Sequence, residues 1–225
     1  NLKLRTSIKL VVDLYSDFES SILYKSEVEV AMQKTLVIVS HPNIDHSIVN
    51  KRWIEELKKH PDLSTVHDLY QAYPDGKISV EYEQALIEQH AHLILQFPIY
   101  WFNCPPLWKT WLDDVFSYGW AYGETGDKLK QRKFGLAVTA GGNQTSDYAK
   151  NGRYQTSLTE VLLPFSLTAQ YVQADYQPYF AYYGAEHNLT TENLEQSAQA
   201  YIEHLATLFE QQASVAWPYF FKQCA

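Results

Sequence analysis

The sequence predicts an α/β fold, a doubly wound sheet of five parallel strands in the order 2-1-3-4-5 with helices on both faces. Two observations lead to this prediction. From Thr35 onward, short apolar runs alternate with longer segments whose apolar residues recur at a helical period. Strands that are separated by helices run parallel and connect through right-handed crossovers. In this order the first and third strands form a switch point, and ligands bind beyond their carboxyl ends.

Each strand and helix follows from its own local pattern. Apolar or alternating runs predict strands over residues 36–40, 65–70, 92–97, 133–140 and 171–176. Apolar residues at helical spacing predict helices over residues 46–60, 79–90, 105–117, 158–170 and 190–211. Ser79 is the expected N-cap of the second helix, and Pro164 is expected to interrupt the fourth. Three unusual loops follow the first, third and fourth strands, at residues 41–46, 98–103 and 141–155.

The composition predicts one domain with two extensions. The 225 residues are 46% hydrophobic, which is enough for one sizeable core. The sole methionine, Met32, stands three residues before the start of the first strand. We therefore predict that residues 1–31 are an N-terminal extension, upstream of the natural start or derived from cloning; the alternative is that they pack on the domain. The predicted domain covers residues 32–212, and an aromatic tail covers residues 213–225.

Charge, cysteine content and hydropathy exclude several classes of function. A net charge of −8 and a pI of about 5.4 give no general attraction to nucleic acid or to an anionic membrane. Two distant cysteines, Cys104 and Cys224, suit a reducing cytoplasm and not a disulfide framework. No apolar run has the length of a membrane span, and the eight histidines show no metal-ligand spacing. We expect a cytoplasmic protein without a nucleic-acid partner, direct membrane insertion or a bound metal.

The loop after the first strand runs from a strand tip into a helix, in the segment SHPNIDHSIVNKR (residues 40–52). Free N–H groups at a helix N-terminus form a ready site for phosphate, and Ser47 and Asn50 can donate from the first turn. His41 stands at the strand tip. The segment has neither the G-x-G-x-x-G nor the Walker pattern. In the alternative interpretation, Ser47 only caps the helix and His41 is a satisfied polar residue.

The most informative stretch of the chain is PIYWFNCPPLWKTWLDDVFSYGWAY (residues 98–122), which begins in the loop after the third strand, QFPIYWFNCPP (residues 96–106). Pro98 ends the strand, and Tyr100, Trp101 and Phe102 cluster behind it. An aromatic loop at the end of a buried strand needs a flat ligand or a partner surface to lie against. A flavin held at a dimer interface meets both needs. The alternative is an aromatic cluster of the core or of an interface.

The loop after the fourth strand, TAGGNQTSDYAKNGRY (residues 139–154), carries two glycines where the backbone can approach a ligand closely. Tyr148 can reach over that ligand and offer a hydroxyl. The alternative is an ordinary flexible loop, because a single pair of glycines is a weak signal. Cys104 has no evident base beside it and is interpreted as packing. The sequence shows no nucleophile elbow or hydrolase triad.

Together the segments SHPNIDHSIVNKR, QFPIYWFNCPPLWKTWLDDVFSYGWAYG and LAVTAGGN resemble those of the flavodoxin-like NAD(P)H:quinone oxidoreductases. The resemblance covers about residues 35–208 and is specific because three loops match in order. It is closest to the bacterial short members, which include the ancillary oxidoreductase of glutathione-regulated potassium efflux; DT-diaphorase is more distant. It implies a flavoenzyme with FMN or FAD that passes two electrons from NAD(P)H to a quinone by a ping-pong mechanism. It also implies a homodimer with each active site at the dimer interface.

The resemblance further implies roles for individual residues. The flavin phosphate group would contact His41, Ser47, Ile48, Val49 and Asn50. The isoalloxazine edge would contact Ile99, Tyr100, Trp101 and Phe102, and the other side of the ring Thr139, Ala140, Gly141 and Gly142. Tyr148 would stand near the hydride-transfer site as a catalytic residue, and Gln155 lies close to where DT-diaphorase has a histidine. Glutamine can donate a hydrogen bond there but cannot relay a proton near neutral pH.

Two further interpretations stay open. The resemblance to the efflux ancillary protein implies a redox-sensing regulatory subunit that binds the cytosolic domain of a potassium-efflux transporter and so lies peripheral to the inner membrane. An electron-carrying flavodoxin is less favoured, because a carrier needs an exposed flavin edge and not a deep aromatic pocket. The sequence does not separate FMN from FAD or NADH from NADPH, since it shows no distinct adenine pocket and no basic cluster for a 2′-phosphate. It does not identify the physiological acceptor.

Overall fold

The structure, a computed structural model, describes residues 34–141, 144–187 and 189–220, with side chains as far as residue 207. Within these ranges a parallel sheet carries helices on both faces. The predicted extension over residues 1–31, the predicted ligand contact of Gly142 and the end of the predicted tail, residues 221–225, lie outside the described residues. The backbone of residues 213–220 continues the last helix. The domain boundaries therefore stay predictions.

The sheet has the predicted strand order. Its strands are β1 (Thr35–Val39), β2 (Ser64–Asp68), β3 (His92–Pro98), β4 (Lys133–Ala140), β5 (Asp175–Tyr176) and β6 (Phe180–Tyr183). The order is β2-β1-β3-β4-β5, and all the paired strands are parallel. β1 and β3 are buried along their whole length, as expected for strands covered on both faces. The prediction of a doubly wound parallel sheet is confirmed.

The outer edge of β4 departs from the prediction, because two short strands share it. β5 pairs with the first two residues of β4, and β6 pairs with the last four. Pro178 lies between β5 and β6 and has no N–H to donate, so the ladder is interrupted there. The strand predicted over residues 171–176 is too long, because the preceding helix continues through Tyr171. β6 is an addition that the sequence analysis does not anticipate.

Most helices follow the predicted segments with shifted ends, but the short helix over residues 69–72 was not predicted and replaces the end of the strand expected over residues 65–70. They are α1 (Ile48–Leu57), α2 (Leu69–Ala72), α3 (Val80–Glu88), α4 (Pro106–Val115), α5 (Leu158–Val161), α6 (Leu163–Tyr171) and α7 (Thr191–Phe220). Pro164 stands in the first turn of α6, directly after the break from α5, as predicted. Ser79 is the N-cap residue of α3, although its side chain makes no capping hydrogen bond. α1 begins later than predicted because residues 44–46 form a separate 3-10 turn.

The core has two layers, one on each face of the sheet. On one face, α1 and α7 bury Trp53 and Tyr201 against β1, and Phe180 of β6 stacks on Tyr201 with ring centroids 5.1 Å apart. On the other face, Trp108 of α4 and Phe165 of α6 pack together at 5.2 Å. Fully burying one such side chain contributes about 1.5–3 kcal/mol or more. These layers fix the sheet and therefore the spacing of the loops at its carboxyl end.

A buried carboxylate joins α3 to the second layer. Glu83 of α3 is fully buried and accepts hydrogen bonds from the Tyr73 hydroxyl at 2.6 Å, from His67 Nε2 at 2.7 Å and from Trp111 Nε1 at 2.8 Å. Burial alone would raise the pKa of the Glu83 carboxyl, but these donors outweigh burial and lower the pKa. A buried charge with three donors is satisfied, so it ties β2, α3 and α4 together.

Candidate functional site

A cleft opens beyond the carboxyl ends of β1, β3 and β4, at the switch point of the sheet. Its volume is about 480 Å³, within the range that is typical of small-molecule sites. The lining residues are His41, Asn43, His46, Ser47, Ile48, Val49, Asn50, Pro98, Ile99, Tyr100, Thr139, Gly141, Ala185, Glu186 and Leu189. The cleft therefore combines parts of all three predicted loops with a fourth segment that follows β6.

The start of α1 presents backbone N–H groups to this cleft. Ser47, the residue before the helix, has an extended backbone, and its side chain makes no capping hydrogen bond. The first N–H groups of an α-helix have no partner within the helix and lie at the positive end of its dipole. They can therefore bind an anion without a basic side chain. Ser47 does not act as the simple N-cap of the alternative interpretation.

Asn50 is a buried connector beneath this helix start. Its side-chain amide donates to the Thr139 hydroxyl at 3.0 Å and to the Ser47 hydroxyl at 3.3 Å. The Gln96 amide donates to the Asn50 backbone carbonyl at 3.2 Å and to its side-chain oxygen at 3.3 Å. Asn50 is 1% exposed, so these hydrogen bonds are shielded from water. One side chain thus joins β3 and β4 to the start of α1.

His41, just beyond β1, is a neutral donor in the cleft wall. Burial lowers the pKa of its imidazole, although the Asp68 charge opposes this shift. The backbone N–H of Asn43 donates to His41 Nδ1 at 3.1 Å. Nδ1 therefore carries no proton, and the proton of the neutral ring lies on Nε2. His41 can donate one hydrogen bond from Nε2 without carrying a positive charge.

The aromatic turn (residues 100–103) after β3 has a strained backbone. Tyr100 and Asn103 exchange backbone hydrogen bonds of 2.8 and 2.9 Å across it. Trp101 and Phe102 at its centre both have positive φ, 51° and 60°. Two consecutive positive φ values favour asparagine and glycine, and each bulky residue there costs on the order of 1 kcal/mol or more. Strain of this kind clusters at functional sites, so the turn is a candidate binding element.

The aromatic turn divides its side chains between cleft and rim. Tyr100, and Ile99 just before it, line the cleft. Trp101 is 95% exposed, and Phe102 packs edge-on against Tyr154 with ring centroids 4.9 Å apart. Burial raises the pKa of the Tyr100 phenol. Trp101 and Phe102 therefore lie outside the lining of the cleft in a single chain.

The end of β4 contributes Thr139 and Gly141 to the lining, whereas Ala140 between them is buried and does not line it. A Cβ on Gly141 would lie only 2.5 Å from Oε1 of Glu186. Because glycine has no side chain, the Glu186 carboxylate can approach the backbone at this point. A side chain at position 141 would therefore collide with Glu186 of the neighbouring segment, whether or not a ligand is bound.

The two predicted catalytic residues lie outside the lining. Tyr148 is 7% exposed and packs against Tyr154 and Tyr183, with ring centroids 5.3 and 5.8 Å apart. Gln155 is exposed and has a φ of 51°. Cys104, interpreted as packing, has its thiol pKa raised to about 11 by burial, so it is protonated at neutral pH. The structure does not bring Tyr148 or Gln155 to the cleft of a single chain.

The wall formed by Ala185, Glu186 and Leu189 was not predicted from the sequence. These residues follow β6, and Gly184, with a φ of 69°, turns the chain back toward β4. The Gly184 N–H donates to the last carbonyl of β4 at 3.0 Å, and the Glu186 N–H donates to the Gly141 carbonyl at 3.1 Å. The sequence signal that could have predicted β6 and the turn after it is the run FAYY (residues 180–183) followed by Gly184. Asn43, His46 and Pro98, which also line the cleft, were not proposed as ligand contacts.

The donors of the cleft suit a phosphate, and its apolar wall suits a planar ring. The start of α1 and His41 offer N–H groups at one end, whereas Ile99, Tyr100 and Gly141 frame the other. Within the described ranges, no three His, Cys, Asp or Glu side chains form a group that could hold a metal ion. None of the helices in that part of the chain combines the length and apolar character needed to cross a bilayer. The residues present fit a phosphate-bearing planar cofactor such as FMN.

Comparison with known proteins agrees with the fold. A family model described as a flavodoxin-like fold matches residues 33–205. The chain is 45% identical over 172 residues to the protein of Bacillus subtilis (strain 168) named uncharacterized NAD(P)H oxidoreductase YrkL. This match covers 76% of the chain and 97% of YrkL. It is 36% identical over 173 residues to the glutathione-regulated potassium-efflux system ancillary protein KefG of Salmonella paratyphi C (strain RKS4594), covering 77% of this chain and 93% of KefG.

Two solved structures extend this comparison. General stress protein 14 of Treponema denticola, in complex with FMN, is 51% identical with a TM-score of 0.75, covering 78% of this chain and 99% of that chain. An NADPH-quinone reductase from P. pentosaceus is 26% identical with a TM-score of 0.68, covering 77% and 98%. The resemblance carried by the three loops is confirmed. The chain belongs to the flavodoxin-like fold family, among relatives named NAD(P)H oxidoreductase and KefG.

Proposed function

We propose that the protein is an FMN-dependent NAD(P)H oxidoreductase that reduces quinones by two electrons in a ping-pong cycle. One observation carries the proposal: the uncapped start of α1 and the aromatic turn face one cleft at the switch point of the sheet. The FMN complex of general stress protein 14 supports FMN over FAD. The names of YrkL and of the P. pentosaceus enzyme support NAD(P)H as donor and a quinone as acceptor.

In this proposal the protein supplies binding, orientation and exclusion of water. FMN, when bound, supplies the redox chemistry, since its ring accepts a hydride and gives the electrons to an acceptor. N–H groups of Ile48 and Val49, the Ser47 hydroxyl and His41 Nε2–H would hold its phosphate. Asn50 keeps this helix start in register with β4. The ring would lie between Ile99 and Tyr100 on one side and Thr139 and Gly141 on the other, the residues of the predicted set that line the cleft.

Tyr148 and Gln155 are proposed as catalytic residues of the assembled enzyme. Both belong to the loop after β4, and both lie outside the lining of a single chain. Their action therefore needs a movement of this loop or a second copy that completes the site. Tyr148→Phe keeps the ring and removes the hydroxyl. A lower kcat with unchanged flavin content would support the role of Tyr148, and an unchanged kcat would remove it.

A homodimer is proposed on the evidence of an exposed apolar stripe. Leu163, Leu167 and Tyr171 recur every four residues along α6 and are 50%, 53% and 69% exposed. Tyr122 packs on Tyr171 with ring centroids 5.4 Å apart, and Tyr118, 68% exposed, continues the stripe. Contiguous exposed apolar residues of this kind mark interaction surfaces. A second copy seated on this stripe would bury it.

A regulatory role is the second candidate, and the identity to KefG is the observation that favours it. In that case the protein would act in the cytoplasm and bind the cytosolic domain of a potassium-efflux transporter, which would bring it to the inner membrane. Pull-down of that domain by oxidised and by reduced protein tests the idea. Absence of binding in both states removes the regulatory role and leaves the reductase proposal intact.

The first test of the reductase proposal is the absorbance spectrum of the purified protein, followed by heat release and mass analysis of the chromophore. We expect a flavin spectrum and the mass of FMN. Oxidation of NADH and of NADPH is then followed with and without a benzoquinone, which measures donor preference and acceptor use together. Protein that stays colourless after incubation with FMN would contradict the proposal. Flavin-loaded protein without quinone turnover would contradict the assigned acceptor only.

A further inference from the structure

Glu186 brings a negative charge to the wall of the cleft. Its side chain lines the cleft together with Tyr100 and Gly141. Oε1 lies so close to the Gly141 backbone that a Cβ there would be 2.5 Å away. In the part of the chain that the structure describes, no cation or hydrogen-bond donor is paired with this carboxylate. The charge of Glu186 is therefore not neutralised by a neighbouring side chain there.

Backbone hydrogen bonds fix the position of Glu186. β6 pairs with the last four residues of β4, and Gly184 turns the chain immediately afterwards. The Gly184 N–H donates to the Ala140 carbonyl at 3.0 Å, and the Glu186 N–H donates to the Gly141 carbonyl at 3.1 Å. These bonds dock the segment after β6 on the end of β4. The backbone of Glu186 is thus held at the cleft by the sheet, while its side chain is exposed.

Glu186 belongs to the ring end of the cleft. The phosphate donors lie at the start of α1, around Ser47, whereas Glu186 adjoins Gly141 and lines the same cleft as Tyr100. Its field extends across the cleft, because it adds to the burial that raises the pKa of the Tyr100 phenol. A ligand ring between Tyr100 and Gly141 would lie within the same field.

We propose that Glu186 lowers the reduction potential of the bound flavin. The inference rests on the proposed function, because it requires FMN in this cleft. Hydride transfer moves two electrons and one proton from NAD(P)H, which becomes NAD(P)⁺, to the ring, so the ring gains one net negative charge. A nearby carboxylate disfavours that added charge. Glu186 therefore weakens the binding of reduced FMN relative to oxidised FMN and favours delivery of the electrons to an acceptor.

The test removes the charge and keeps the shape, with Glu186→Gln. The midpoint potential of the FMN-loaded protein is measured by equilibration with reference dyes, and the dissociation constants of oxidised and reduced FMN are measured separately. We expect reduced FMN to bind about tenfold tighter relative to oxidised FMN, which raises the potential of a two-electron couple by about 30 mV. Glu186→Asp keeps the charge and should stay near the wild-type potential. Glu81→Gln, an exposed residue of α3, controls for the change in total charge.

The outcomes separate this inference from the proposed function. If the wild-type protein does not bind FMN, both fail. If FMN binds and the potential of Glu186→Gln equals that of the wild type, only the role of Glu186 is overturned. An equal rise in Glu81→Gln would also overturn it, because the effect would then come from total charge. Loss of oxidised FMN binding in Glu186→Gln would do the same, since the carboxylate would then act by holding the cofactor.

Discussion

At the scale of single residues, the hydrogen bonds of Asn50 and Ser47 determine which donors at the start of α1 are left for a ligand. The sequence pattern predicts Asn50 as a donor to a phosphate, because it stands in the first turn of α1. The structure turns both of its amide hydrogens inward, to Thr139 and Ser47. Ser47 in turn leaves the backbone N–H groups of the helix start without a side-chain cap. Asn50 would therefore affect a ligand indirectly, because it holds the start of α1 against β3 and β4.

Asn50→Ala should destabilise the fold even without a cofactor. The substitution removes the amide that donates to the Thr139 hydroxyl and one of the two acceptors of the Gln96 amide, both in a buried setting. Leaving buried polar groups unsatisfied costs about 1–3 kcal/mol, so the free energy of unfolding should fall by that amount. Urea unfolding of the apoprotein measures it. Asn43→Ala, at an exposed lining position, is the control and should change stability by less than about 0.5 kcal/mol. Equal stability of the two variants would show that the buried network contributes nothing.

His92 should make the fold sensitive to mild acid. It begins β3, and burial, with the nearby Lys133 and Arg132 charges, lowers the pKa of its imidazole from 6.5 to about 4. The folded state therefore favours the neutral ring. As the pH falls below about 6.5, the unfolded chain takes up a proton that the folded chain does not, so stability is lost on acidification until the pH reaches about 4.

The expected loss from His92 approaches about 1.4 kcal/mol per pH unit and amounts to roughly 1.5 kcal/mol between pH 6.5 and pH 5, because the unfolded imidazole is only half protonated at pH 6.5. Urea unfolding at both values measures it in the wild type and in His92→Gln, whose side chain does not titrate. The window stays above the range in which carboxylates such as Glu83 titrate. His41, His90 and His204, whose pKa values burial also lowers, add to the slope of both proteins. Parallel slopes would contradict the assignment to His92.

At the scale of elements, the loops at the carboxyl ends of the strands carry the exceptions to local preference. The aromatic turn places Trp101 and Phe102 at positive φ, a backbone conformation that bulky side chains disfavour. Trp101 is 95% exposed, so packing within the chain does not explain its presence. α6 likewise exposes leucines on one side while it buries Phe165 on the other. Both elements leave large apolar side chains exposed, which a contact beyond the single chain would bury.

Trp101→Asn should stabilise the fold. Asparagine tolerates the positive φ of this position, and the exposed tryptophan leaves no cavity behind. We expect the free energy of unfolding to rise by about 0.5–1 kcal/mol, with a lower rate of quinone reduction if the turn frames the ring. Thermal unfolding of the apoprotein and a steady-state assay measure the two effects. Lower stability of the variant would mean that the turn is not strained.

Leu167→Glu should separate the proposed dimer. The substitution puts a charge into the middle of the α6 stripe, where a second copy would have to bury it. We expect sedimentation of the wild type as a dimer and of the variant as a monomer, with the circular dichroism spectrum unchanged. Gln71→Glu, an exposed change on α2, adds the same charge away from the stripe and should stay dimeric. A monomeric wild type would overturn the homodimer itself.

At the scale of the whole molecule, alternation of strands and helices is sufficient to predict the sheet order and three of the four segments that form the cleft. The fourth segment escapes prediction because β6 is only four residues long and follows Pro178, so its pairing is decided by β4 and by the stacking of Phe180 on Tyr201. The position of Tyr148 escapes for a related reason. Its burial depends on ring contacts with Tyr154 of the same loop and with Tyr183 of β6, and the sequence pattern does not predict these contacts.

Added FMN should stabilise the molecule as a whole. A ligand that binds only the folded state contributes about 2.7 kcal/mol at one hundred times its dissociation constant. For a chain of this size the unfolding midpoint should rise by about 5–10 °C. Riboflavin, which lacks the phosphate, is the matched control and should give a smaller rise, because the start of α1 then has no anion to bind. Equal shifts with the two compounds would remove the helix start from the site.

The pairing of β6 with β4 also bears on how the cleft moves. Strands at a sheet edge exchange their amide hydrogens through local openings that need much less free energy than global unfolding. β6 is joined to the sheet by only four residue pairs, so it can detach while β1 and β3 remain hydrogen-bonded to each other. Each such opening would carry Glu186 away from Gly141 and widen the cleft on one side. Hydrogen exchange at β6 would then report how often the protein without ligand opens a path for the proposed FMN.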